Sequence, residues 1–471
     1  MRLLALRPIR FPLLRTICAQ RRGLLTIAIE TSCDDTSVAI LEKHKNNSAT
    51  LHFHETITSD NRKFGGLHPL VAHESHQRNV ASLVKKALQA LPPISTEIAN
   101  YGNTLVVKNA AEGEILRKKP DFVTATRGPG MRANLITGVD TAKGLSVAWQ
   151  VPFIGVNHMQ AHALTPRLIT AMQASDENLS TKVGLEPSFP FLSLLVSGGN
   201  SMLVNSQSLS QHSILARTAD IAIGDMIDKC ARDILPKEAL EASTGVSYGP
   251  SLERYAFPDT SSVTDKPAYY NYTPPMRRNR ASGSKISNKE CVSLKPRSWS
   301  ITPPMSNGTS GSPAFLASIF SFSGIGSSVK RIVKDSPFME DAERRFLAQE
   351  TMRVAFEHLG SRVLMALEGS LGEIKTLVAS GGVASNQYLK HILRAILDSS
   401  GHTGIKLVCP PVKFCTDNAA MIAWTGIEMW EAGYITSLDA MAMRKWDIDS
   451  ESNDGGILGA RGWVNVREGH A

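Results

Sequence analysis

Residues 26–41 read TIAIETSCDDTSVAIL: an apolar run, a short polar turn carrying Asp34 and Asp35, and a second apolar run. Such a pattern is a strand, a tight turn and a strand. Residues 192–204, LSLLVSGGNSMLV, repeat the plan with a Ser-Gly-Gly turn, and residues 377–386, LVASGGVASN, place another glycine turn after an apolar strand. Helical periodicity fills the intervals, as in residues 134–149 and 341–367. Strands alternating with helices predict an α/β protein. Two hairpin-opened halves predict a duplicated, two-lobed molecule with a central cleft.

Glycine pairs after buried strands let backbone N–H groups approach a phosphate closely. Ser197, Gly198 and Gly199 form one such turn, and Gly381 with Gly382 another. Together with the acidic turn they predict a nucleotide cleft between the lobes. Neither a Walker A loop nor a dinucleotide fingerprint is present, which argues against P-loop enzymes and dehydrogenases.

The segment VNHMQAHALTPRL (residues 156–168) sets His158 and His162 at i and i+4, one helical turn apart on one face, where two imidazoles can share a metal. Met159 stands where a zinc protease needs its glutamate, which disfavours that chemistry. Asp417, in KFCTDNAAMIAW (residues 413–424), sits just before an apolar helix, as a helix cap or a third ligand would; spacing favours the cap. Asp225, Asp228 and Lys229, in IAIGDMIDKCAR (residues 221–232), fit a solvated helix face, although their apolar neighbours leave room for a buried acid.

The chain has 471 residues, 42% hydrophobic and 20% charged, a composition that suits a globular protein of more than one domain. Its net charge of +8 is uneven. Residues 1–23 hold six arginines and no acid, and the rest has 45 bases against 43 acids, so charge alone does not argue for a nucleic-acid partner. The leader reads as a mitochondrial transit peptide over residues 1–24, because arginines interrupt every apolar run that a secretory signal would need. No stretch approaches the ~20 apolar residues of a membrane span. Six cysteines without a CxxC pair suit a reducing compartment. Residues 262–312 carry eight bases and two acids among Ser, Pro, Asn and Tyr, and read as a disordered basic insertion or surface loop. The expected division is a first lobe over 25–150, a second over 151–424, and a C-terminal helix and tail over 425–471 returning to the first lobe.

Eight segments in order carry a resemblance: IAIETSCDDTSVAI, ATRGPGMRANLITG, VNHMQAHALTP, FLSLLVSGGNSML, IGDMIDKCAR, FSFSGIGSSVK, ASGGVASNQYL and FCTDNAAMIAWTG. Across residues 26–446, interrupted by 262–312, the chain resembles the universal tRNA threonylcarbamoyladenosine transferase family, once labelled a glycoprotein endopeptidase, and with its leader looks most like the mitochondrial branch. The resemblance implies an actin-like fold of the sugar kinase and Hsp70 type. It implies a divalent metal (Fe, Zn or Mn) on His158, His162 and Asp417. It implies a substrate pocket of Leu195, Val196, Ser197, Gly198, Gly199, Asp228, Gly249, Glu253 and Asn386, with Asp34 and Asp35 as the acids needed for activity. The implied reaction moves threonylcarbamoyl from its adenylate, made by a separate synthase, to N6 of adenosine 37 in tRNAs reading codons that begin with A, in a mitochondrial homodimer. Departures from the family pattern are Asp35 for Glu, Asn157 and Asn200 for His, and Tyr248 for Gly. A kinase or ATPase of the same fold, or a tRNA- or nucleotide-binding scaffold, are the competing readings.

Overall fold

The computed structural model describes residues 23–64, 66–94, 99–100, 102–109, 113–174, 182–243, 247–258, 270, 272–275, 299–305, 317–369 and 371–467. The leader expected over 1–24 lies almost wholly outside the described residues, as does most of the 262–312 insertion.

Both lobes are built on one plan. In the first, β1 (Leu24–Glu30), β2 (Asp35–Lys43) and β3 (Ala49–Thr58) form an antiparallel meander. A separate hairpin follows, β4 (Thr104–Asn109) with β5 (Gly113–Lys118). The strands β6 (Phe122–Gly128) and β7 (Phe153–Asn157) then add in parallel on the other side of β1. In the second lobe β8 (Phe191–Val196), β9 (Ser201–Ser206) and β10 (His212–Thr218) repeat the meander, with the short β11 (Ile319–Phe320) beside β10. There β12 (Thr376–Ser380) and β13 (Lys406–Val408) add in parallel next to β8. Both leading hairpins turn through four residues, 31–34 and 197–200. The duplicated, actin-like α/β architecture is therefore present strand for strand.

The lobe boundary expected at residue 150 falls elsewhere. The strand β7 pairs with β6, and β14 (Tyr434–Thr436) and β15 (Trp463–Asn465) extend the same sheet beyond it. The reason is topological: two parallel neighbours joined by the helix Arg132–Trp149 form one crossover unit, which cannot be divided after its helix.

Two helices lie between the sheets. His158–Gln173 contacts β7 on one side and β8 and β12 on the other. It packs against Ala419–Glu431, which lies on β1, β2, β6 and β7. Residues 158–168 and 419–429 are buried on every face, as helices enclosed by sheets must be. Their side chains share one core with Ala28, Ile154, Phe191, Leu195 and Val378 of the two sheets. Arg167 Nε donates to Glu428 Oε1 at 2.8 Å, an ion pair buried between the two helices.

Helices Ile223–Ile234, Gly249–Ala256, Ser323–Asp335, Asp341–Leu367 and Gln387–Ser399 build the second lobe's core, whereas Pro69–Gln89 and Arg132–Trp149 pack on the first sheet. The described fragments of the insertion join it: Tyr270 and Ile301 are buried there, and Trp299 donates to Glu343 at 2.8 Å. For these residues the expectation of a disordered insertion or surface loop does not hold, because their apolar and aromatic side chains pack into the core. Among the described residues, no helix is long and apolar enough to cross a membrane.

A Cβ at Gly426 would collide with the Thr124 side chain of β6, where helix and sheet are closest. Gly426→Ala is expected to destabilise the chain by ~1–3 kcal/mol through overpacking, measured by chemical denaturation; no loss would show that this contact yields freely.

Candidate active site and metal centre

His158 and His162 open the helix that follows β7. Asn157 caps it, accepting from Met159 N and Gln160 N at 3.0 and 3.1 Å, and its Nδ2 donates to Trp446 O at 3.3 Å. Asp417 precedes the second inter-lobe helix but does not cap it. That role belongs to Asn418, whose Oδ1 accepts from Met421 N at 3.0 Å. Ser37 of β2 ties the same helix end to the sheet by accepting from Ala419 N. The cap reading of Asp417 is thereby excluded, and its carboxylate faces the histidines.

The three side chains converge. Asp417 Oδ1 lies 3.1 Å from His162 Nε2 and 3.3 Å from His158 Nε2, and the two Nε2 atoms are 3.2 Å apart. Such edges match donors each about 2 Å from one shared cation. Two imidazoles and a carboxylate are also a donor set that binds divalent transition metals. The trio could thus hold a metal ion. Its charges reinforce each other without one. Burial opposes protonation of His158, but Asp417 and Glu30 outweigh it and hold its pKa near about 10. Burial likewise opposes ionisation of Asp417, and the two imidazoles outweigh it, keeping that carboxyl well below its usual range.

The acidic turn stands beside this centre. Burial, then repulsion from Asp417, raises Asp34. Burial, Asp34 and Asp417 raise Asp35 to about 7, although Thr58 Oγ1 donates to its carboxylate. Two helices pin the turn. His76, on the helix Pro69–Gln89, bonds Thr36 Oγ1 at 2.8 Å and Cys33 O at 3.0 Å. Asn134, on Arg132–Trp149, donates to Cys33 O at 2.6 Å and accepts from Thr31 Oγ1 at 2.9 Å.

Across the cleft, β8 and β12 are parallel neighbours, so their glycine turns lie side by side. Gly381 requires glycine: its φ is +98°, and a Cβ would strike the Val196 carbonyl. The Ser197 hydroxyl accepts from Gly199 N and Asn200 N at 3.3 and 3.1 Å, which shapes the first turn. Gly198 and Gly199 are exposed, and a Cβ on either would meet nothing within 4 Å, so a ligand can approach their backbone. Leu195 and Val196 are the buried end of β8.

The remaining pocket residues form a chain of helix caps. Asp228 Oδ1 accepts from Tyr248 N at 2.8 Å and Gly249 N at 3.0 Å, starting the helix Gly249–Ala256. Burial raises the Asp228 pKa against those hydrogen bonds. From that helix, Glu253 Oε1 accepts from Gln387 N at 2.7 Å and Tyr388 N at 3.1 Å. Asn386 caps the same helix through Leu389 N at 2.9 Å. Part of each side chain's hydrogen-bonding capacity thus supports the start of a neighbouring helix.

Glu30, His76 and Asn134 were not singled out in the sequence. Glu30 looks like the last residue of an apolar strand before a turn. Its one signal is an acid in an otherwise apolar run.

The family model for tRNA N6-adenosine threonylcarbamoyltransferase matches residues 103–424. A protein of Schizosaccharomyces pombe named mitochondrial tRNA N6-adenosine threonylcarbamoyltransferase is 34% identical over 95% of this chain and 90% of its own length. The Danio rerio protein with that name is 31% identical over 88% of this chain and 84% of its own. A probable mitochondrial one from Arabidopsis thaliana is 30% identical over 87% and 70%. With the eight motif segments and the metal trio, these matches establish that the chain belongs to the tRNA N6-adenosine threonylcarbamoyltransferase family.

Proposed function

We propose that the chain is a mitochondrial enzyme that moves the threonylcarbamoyl group of threonylcarbamoyl-adenylate to N6 of adenosine 37 in tRNAs reading codons that begin with A. The observation that carries this reading is the convergence of His158, His162 and Asp417 between two lobes, with glycine turns on one side and an acidic turn on the other. A kinase of the same fold has no need of that trio.

The adenylate is a mixed anhydride with one phosphate. The Ser197–Gly199 backbone can take the phosphate region, and Asp228, Gly249, Glu253 and Asn386 shape the wall beside it. A divalent cation on His158, His162 and Asp417 (Fe, Zn or Mn by donor chemistry) would supply Lewis acidity and neutralise phosphate charge. N6 of the adenosine attacks the carbamoyl carbon, the bond from that carbon to the phosphate oxygen breaks, and AMP leaves with the electron pair. Asp34, in the acidic turn, takes the N6 proton. The amine is a weak nucleophile, so positioning across the cleft carries most of the acceleration.

The adenylate comes from a separate synthase. A second copy of the chain fits the face where Leu70, on Pro69–Gln89, and Ile136 and Val147, on Arg132–Trp149, expose apolar side chains on adjacent helices. The arginine-rich leader and the mitochondrial names of the relatives support the location.

Residues 25–471, incubated with unmodified tRNA and threonylcarbamoyl-adenylate, should yield threonylcarbamoyl-adenosine by nucleoside mass spectrometry. Chelation, His158→Ala and Asp417→Ala should each lower the yield by at least about 100-fold, and the active species should sediment as a dimer. Product insensitive to chelation and to both variants would refute the site, and none from a folded, metal-loaded dimer would favour the scaffold.

Asp35 supplies a second test. In chelator-treated protein the folded chain keeps a proton on Asp35 up to about pH 7, whereas the unfolded chain releases it near about pH 4. The folded state binds more protons across that window, so stability falls as pH rises through it. Asp35→Asn should make the fall shallower and be more stable than the parent at about pH 8 by more than ~1 kcal/mol, read from urea unfolding. Equal slopes in the two proteins would contradict it.

A further inference from the structure

Glu30 ends β1 with no solvent exposure, inside an otherwise apolar strand. A buried carboxylate is costly unless its oxygens are bonded. Oε1 accepts from Ser32 N, Oε2 accepts from Thr126 Oγ1, and Oε2 lies 3.2 Å from His158 Nδ1. Among the described residues His158 is its only ionisable hydrogen-bond partner, so the carboxylate has no lysine or arginine that would explain it as a structural ion pair.

The contact settles which imidazole nitrogen does what. With Nδ1–H donating to the Glu30 carboxylate, Nε2 is the His158 nitrogen that faces His162 Nε2 and Asp417 Oδ1, and the one that would bind a cation on giving up its proton. His162 has no comparable support, since its Nδ1 is buried without a partner. The orientation of the two-histidine face therefore depends on the ring that Glu30 holds. Ser32 joins the same arrangement. Its N–H reaches Glu30, its Oγ is 3.3 Å from His158 Nδ1, and it lies in the 31–34 turn that leads through Asp34 to Asp35.

We propose that Glu30 is the positioning residue of the metal centre, fixing the tautomer and orientation of His158 and locking that ring to the acidic turn. The inference rests on the metal-centre reading of His158, His162 and Asp417. Carboxylates that hold a metal-binding histidine through its second nitrogen orient the ring and raise its basicity. Glu30 has both the location and the geometry for that work. Because it also bonds Ser32, loss of its carboxylate should disturb the metal centre and the turn together.

Cobalt(II) alone, titrated into the chelator-treated full chain and followed by its visible ligand-field bands, reads affinity and coordination geometry at once. The parent should show one saturable site that His158→Ala abolishes. Glu30→Gln, nearly isosteric, should unfold cooperatively yet bind cobalt about 10- to 100-fold more weakly, with bands displaced at saturation. A purely structural role would leave the saturated bands unmoved. Where the glutamine variant does not fold, Glu30→Asp, which withdraws the carboxylate by one methylene, should show the same weakening. A folded variant with affinity within about twofold of the parent and unmoved bands overturns the proposal. No saturable site in the parent, or binding that survives His158→Ala, overturns the metal-centre reading and this inference with it.

Discussion

Helices His158–Gln173 and Ala419–Glu431 have no solvent face along most of their length, and the rest of the molecule is arranged around that constraint. A helix apolar on all sides must be enclosed, and here the two β-sheets enclose the pair from either side. The lobes therefore meet through shared core side chains. Asp417 reaches His158 and His162 because the N-terminal ends of the two helices are brought together, with Arg167 and Glu428 paired farther along. The convergence of the two imidazoles and the carboxylate is a by-product of core packing between these buried helices.

The C-terminal segment reinforces this junction. Met443 N donates to Arg127 O in the first lobe, and Ser450 N donates to His212 O in the second. Asp447 pairs with Arg217, and Asp449 accepts from Ile214 N of β10. Between these attachments, Trp446 O accepts from Asn157, the cap of the histidine helix. The strap thus ties both lobes to the helix that carries His158 and His162.

The legible features were those whose burial leaves a periodic trace. Strands covered on both faces, such as β1 and β8, read as continuous apolar runs, and the i,i+4 histidine pair showed its common face directly. Asp417 was ambiguous because a cap and a ligand both precede a helix by one or two residues; only the geometry shows Asn418 taking the cap. The 150/151 boundary was misplaced because nothing after the helix signals that the next strand belongs to the sheet just left. The tie of Glu253 to Gln387 joins residues 134 apart, and no local spacing encodes it. Glu30 was hidden for a different reason: a single acid at a strand end is ordinary, and its meaning comes from a ring 128 residues away.

The account turns on the claim that the two inter-lobe helices form one metal centre from two imidazoles and one carboxylate. X-ray absorption at the edge of the metal bound by the full chain tests it most directly. Two imidazole ligands in the parent and one fewer in His162→Ala, with only nitrogen and oxygen bound to the metal, is the predicted result. A sulfur ligand from the adjacent Cys33, or a first shell without imidazole, would contradict it.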